Sequence, residues 1–145
     1  MSDLIVSLTA ATATRILHAR SGAVIESAMA PEFGGPGGAF SSTDLLAAAL
    51  GSCIATSLGP VAERHGIPLD SLQLVVRKEL GQQPRRVTRL VIEVRCTRPI
   101  SGDVLARLER ATESCTVSRS LHPDLDVPIC FVLPDTPVTP DPPVE

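Results

Sequence analysis

Tryptophan and tyrosine are missing from this 145-residue chain, and phenylalanine occurs only at Phe33, Phe40 and Phe131. Base stacking therefore has almost no platform, and any pocket is walled mainly by aliphatic side chains. A block of positive charge is missing too. The 13 basic and 16 acidic residues are mixed along the chain for a net charge of −3, so no basic stripe is offered to phosphates and nucleic acid is not an expected partner. The longest uninterrupted apolar run, residues 45–50, falls far short of the roughly 20 residues that cross a bilayer, so no membrane span is expected. The opening MSDLIVSLTAATATR lacks a basic segment, an apolar core and a small-residue cleavage site in succession. The expectation is a cytoplasmic protein whose thiols start reduced. The four cysteines, at 53, 96, 115 and 130, form no C-x-x-C pair and have no histidine at metal-ligand spacing, so neither a metal site nor another cofactor is called for.

What is present is aliphatic. Hydrophobic residues make up 43% of the chain, and a domain of this size buries roughly 68–70% of its unfolded surface, enough for a core without staples. So large an apolar share without aromatics points to some apolar surface being buried between subunits. One domain is expected over residues 1–133, followed by a proline-rich acidic tail over 134–145 that has the composition of a disordered segment.

Residues 4–30 alternate β-branched and polar types around Ser21-Gly22, which predicts two or three strands with a hairpin there. The stretch 31–40 is rich in glycine and proline and is read as a loop, with Ser41, Ser42 and Thr43 as candidate N-caps. Leu46, Ala49, Leu50, Cys53, Ile54 and Leu58 then recur at spacings of three and four. They predict a buried helix over 43–65, broken near 59 by Pro60 and stopped by Gly66. Period-two alternation over 71–97 predicts an antiparallel hairpin turning at GQQPR, with Leu72, Leu74 and Val76 on one face of its first strand and Leu90, Ile92, Val94 and Cys96 on one face of its second. Val104, Leu108, Ala111 and Cys115 share the stripe of a second helix over 101–115, and 126–133 reads as a final strand that Pro128 places at an edge. No internal repeat is found.

Cys96 and Cys130 lie on strands where any small hydrophobe would serve, and both are expected to be core residues. On the helix pattern alone Cys53 is either core filler or a reactive thiol. Cys115 ends one helix where CTVSRSL opens a new turn, so its sulfur is expected near free amide hydrogens that favour a thiolate, with Arg119 as a further positive charge. His18, His65 and His122 offer no obvious base.

The order of a β-rich start, the loop PEFGGPGG, the capped apolar helix SSTDLLAAALGSC, a hairpin and a helix ending in ESCTVSRSL resembles the OsmC/Ohr family of thiol peroxidases over about residues 10–133. The resemblance implies an α+β fold in which antiparallel sheets wrap around central apolar helices in an intertwined homodimer, with active sites at the subunit boundary. It implies that Cys53 attacks a small organic hydroperoxide and that Cys115 resolves the product as a disulfide, which a dithiol reductant, of lipoyl type, reopens. It further implies an arginine from the N-terminal strands, Arg15 or else Arg20, beside the reacting thiol. A carboxylate early in the first helix is also implied. Thr43 stands ten residues before Cys53, where the organic-hydroperoxide-resistance branch has glutamate; Asp44 stands nine before, where the broader OsmC-like branch commonly has it. The chain thus resembles the broader branch, with Asp44 as the candidate carboxylate. A non-catalytic relative that binds an apolar ligand or acts as a redox-sensitive interaction module is the alternative.

Overall fold

The computed structural model describes residues 3–134, so the expected tail lies almost wholly outside the described residues. The described residues form two compact units that divide between Leu46 and Ala47, a boundary that falls inside the first helix.

The first unit is built on three strands, β1 (Leu4–Ala10), β2 (Ala13–His18) and β3 (Val24–Ala28), in the order β1-β2-β3. Both pairings are antiparallel, and the β2–β3 hairpin sets Arg15 opposite Glu26. Its turn contains Gly22 at a φ of 73°, as expected of the Ser21-Gly22 signal. Every residue of β1 is exposed, Leu4, Val6 and Leu8 at 65, 62 and 78%. The glycine-rich stretch is a loop except for one short 3-10 turn at Pro31–Phe33, where the prolyl ring pre-sets the first φ.

Helix α1 (Ser42–Arg64) runs without a break past Pro60, contrary to the interruption expected near residue 59. The residue before proline is ordinarily pushed out of the helical region by its own Cβ. Here that residue is Gly59, which has none and has open space around it. An interior proline costs about 3 kcal/mol, whereas full burial of Leu50, Ile54 and Leu58 returns about 1.5–3 kcal/mol each. The helix stops where Gly66 takes a φ of 65°, and two backbone bonds, Ile67 N–H to the Ala62 carbonyl and Gly66 N–H to the Glu63 carbonyl, close the end as a Schellman motif. By length and composition α1 would suffice to cross a bilayer, at a mean hydropathy of 1.7. Counting only the apolar run 45–50 missed this, because Gly51 and Ser52 interrupt the run without adding charge.

In the second unit β4 (Leu72–Gln82) and β5 (Arg85–Cys96) form the expected antiparallel hairpin, with Leu74 opposite Val94 and Val76 opposite Ile92. Helices α2 (Gly102–Thr112) and α3 (Thr116–Ser120) carry the chain back to β6 (Ile129–Val132), which lies parallel to β5 at the sheet edge. This sheet is therefore mixed rather than purely antiparallel, because a connection that returns over two helices delivers the last strand in the same direction as β5. Pro128 has no N–H to give the ladder, and its carbonyl still accepts from Ile92. The core joins Ala47, Leu50, Ile54 and Leu58 of α1 to Leu90, Ile92 and Val94 of β5, to Leu108 of α2 and to Cys115. Gly51 lets α1 approach β4 closely, since a Cβ there would sit 2.7 Å from Cγ2 of Val76. On the other face of β5, Glu93 is paired with both Arg95 and Arg77. The Arg95 and Arg77 hydrogen bonds hold its carboxyl below the usual carboxylate range. Cys130 is opposite Glu93 on that face and is exposed. The core expectation for it fails because strand alternation turns Ile129 and Phe131 toward the core instead. Cys96 is buried as expected.

Candidate active site

Two helices position the two thiols that the sequence singled out. Cys53 lies half-buried on α1 and packs against the core cluster, two residues after the Gly51 approach to β4. The hydroxyls of Thr56 and Ser57 donate to its carbonyl at 3.0 and 2.9 Å, so they are spent on the backbone rather than on the sulfur.

Cys115 is placed by the end of α2, which stops at Thr112 instead of running to 115. The hydroxyls of Thr112 and Ser114 donate to the carbonyls of Glu109 and Ala111 at 2.7 and 2.8 Å, satisfying groups that a helix end leaves orphaned. The chain then turns, and Cys115, with extended backbone, becomes the N-cap of α3, its sulfur accepting the Ser118 N–H at 3.4 Å. The residue is 1% exposed.

The fold brings the two cysteines together: Cys53 packs against the core cluster that contains Cys115, and the Cys115 thiol and the N–H groups of Val117 and Thr116 are the donors that act on its sulfur. These donors, Cys115 first, draw the Cys53 thiol below its ordinary pKa because each favours the charged form. Burial pushes the Cys115 thiol up, and the bond to Cys53 pushes it the same way. The amide hydrogens of Ser118 and Val117 do favour a thiolate at Cys115, as expected, but desolvation outweighs them there, and the net effect of first-turn amides is seen at Cys53. Both thiols are free. Arg119 gives its guanidinium to the Glu113 carbonyl at 3.2 Å.

The other predicted residues belong to the first unit. The Asp44 carboxylate accepts the Ser41 N–H and hydroxyl at 2.8 and 2.7 Å while the Asp44 N–H donates to Ser41 Oγ at 3.1 Å. That reciprocal pattern is a capping box with Ser41 as the N-cap. Arg15 forms an ion pair with Glu26 at 2.8 Å, both side chains being more than half exposed; Arg20 is exposed in the turn after β2. Glu26 escaped notice in the sequence: a hairpin centred on Ser21-Gly22 would set Ala28 opposite Arg15, whereas the observed register is centred between Arg20 and Ser21 and brings Glu26 there. Among the histidines, His18 bonds Ser21 at 2.6 Å and His122 accepts the Asp124 N–H.

A family model described as OsmC-like protein matches residues 35–129, and the chain belongs to that family. Among solved structures, it is similar to a candidate osmotic stress induced and detoxification response protein of Psychrobacter arcticus 273-4, at 27% identity and a TM-score of 0.85, over 91% of this chain and 96% of that one. The organic hydroperoxide resistance protein OsmC of Legionella pneumophila shares the fold at 20% identity and a TM-score of 0.71, over 89% and 96%. So does the organic hydroperoxide resistance protein OhrB of Bacillus subtilis, at 16% and 0.60, over 91% and 98%. No curated protein sequence matches significantly.

Proposed function

We propose that the protein is a cysteine peroxidase that reduces organic hydroperoxides to alcohols. The observation that carries this reading is the packing of Cys53 against the core cluster that holds Cys115, which sets a thiol of lowered pKa beside a partner able to bond with it. The Cys53 thiolate displaces one oxygen of the O–O bond, giving Cys53 sulfenic acid and an alkoxide that takes up a proton. The Cys115 sulfur then attacks the sulfenic sulfur, water leaves, and a dithiol of lipoyl type reopens the bridge.

In this reading Arg15, its charge held in place by Glu26, stabilises the thiolate and the departing alkoxide, and Asp44 is the carboxylate of the site. The working form is a cytoplasmic homodimer without a cofactor; the exposed apolar length of β1 supports association with a second copy. The apolar helix α1 serves as a core element and not as a membrane span.

Steady-state removal of a bulky organic hydroperoxide, compared with hydrogen peroxide, tests the reading. Turnover with a dithiol that is lost in Cys53→Ser supports it, and an unchanged rate in that variant contradicts it. The engagement of Asp44 in its own helix cap favours the second reading, a non-catalytic relative that binds an apolar ligand or acts as a redox-sensitive interaction module. Saturable ligand binding with negligible turnover would select it.

A further inference from the structure

Once Cys53 and Cys115 are joined, a reductant has two sulfurs to choose between, and the fold closes one of them. Cys115 is 1% exposed and belongs to the core cluster that holds Leu50, Ile54 and Leu108. Its own chain encloses it, so association with a second copy can only bury it further. Cys53 is half-buried. Cys53 already packs against the cluster that holds Cys115, so closing the two sulfurs to a bond of about 2.05 Å leaves this difference in access in place.

We propose that the reductant thiolate attacks Sγ of Cys53 and not Sγ of Cys115, so that the mixed disulfide of the recycling half-reaction is carried by Cys53. The inference rests on the bridge that the peroxidase reading requires. In the first step a bond forms between the reductant sulfur and Cys53, the Cys53–Cys115 bond breaks, and its electron pair leaves with Cys115. The departing thiolate meets the Ser118 N–H that already donates to this sulfur at 3.4 Å, and it is protonated by the reductant's second thiol. That second sulfur then attacks its neighbour in the mixed disulfide and releases Cys53 as the thiolate. The reductant loses two electrons as its two thiols become a disulfide, and the protein bridge gains them.

Leaving-group chemistry opposes this order, because burial makes Cys115 the poorer leaving group, and a lower-pKa thiol departs faster. Access decides the matter. Displacement needs an approach from behind the sulfur attacked, and an enclosed atom offers none. The arrangement also explains why a dithiol suits the site: its second thiol finishes the exchange at the one open sulfur, whereas a monothiol leaves Cys53 capped until another molecule arrives.

The site of attack is read by forming the bridge in the full-length protein with one equivalent of cumene hydroperoxide and, separately, with diamide. Each sample is mixed briefly with 2-mercaptoethanol, quenched in acid and mapped by peptide mass spectrometry. The expected result is an early adduct on the Cys53 peptide in large excess over Cys115, which appears as the free thiol. An adduct that forms first on Cys115, or equally on both, overturns the proposal. A bridge made by diamide but not by the hydroperoxide counts against the peroxidase reading alone, and its adduct still decides the site of attack. Failure of both oxidants to make the bridge overturns the two together.

Discussion

Cys53 packs against the core cluster that holds Cys115, and the Cys115 sulfur accepts the Ser118 N–H. Their settings make the two cysteines chemically unequal. One is half-buried and acidic for a thiol; the other is enclosed and reluctant to ionise.

Removing the donor reverses the first property. Cys115→Ala is expected to move the pH midpoint of Cys53 alkylation upward, because the largest influence lowering that pKa is gone while the Val117 and Thr116 amides remain. Cys115→Ser, which keeps a hydroxyl donor, shifts it less. Iodoacetamide alkylation rates followed across pH measure both, and a midpoint that does not move in the alanine variant contradicts the geometry.

The close approach of α1 to β4 has a steric test. Gly51→Ala places a carbon 2.7 Å from Val76 Cγ2, and overpacking of this kind costs about 1–3 kcal/mol. Urea denaturation should show that loss, and Val76→Ala in the same chain should recover part of it.

Pro60 is tolerated within α1 and is not needed for it. Pro60→Ala is expected to stabilise the protein by about 2 kcal/mol, since the roughly 3 kcal/mol cost of an interior proline outweighs the extra freedom of the unfolded chain, worth about 0.4–1 kcal/mol. A loss of stability on thermal or urea unfolding would mean that the ring has a structural role.

Cap and chemistry can be separated at Asp44. Ser41→Ala and Asp44→Ala each remove part of one capping box, and each should lower stability by about 0.5–2 kcal/mol. Only Asp44→Ala should also depress the hydroperoxide rate if its carboxylate serves the site. Arg15→Met breaks an exposed pair with Glu26, so its effect on stability should stay under about 1 kcal/mol while its effect on the hydroperoxide rate is large.

Much of this was legible in the chain because periodicity survives folding. The stripe through Leu50, Ile54 and Leu58 and the alternation Leu90, Ile92, Val94 are the core, and Ser41 and Gly66 bound α1 as their chemistry dictates. The failures came where a neighbour decided. Pro60 was neutralised by Gly59. Cys130 was turned outward by the phase of a four-residue strand, too short for its pattern to be read. The direction of β6 followed from the path of α2 and α3, which no local pattern encodes. At the site, the turn opened by CTVSRSL suggested amide donors near Cys115, and Ser118 is one, but whether they outweigh desolvation depended on burial, a property of the assembled core.

The most direct test of the central claim is peptide mapping of the protein after one equivalent of an organic hydroperoxide. The account predicts a Cys53–Cys115 disulfide in the wild type, a persistent Cys53 sulfenic acid in Cys115→Ser, and neither product in Cys53→Ser. Wild-type protein in which both thiols stay reduced while the peroxide remains would contradict it.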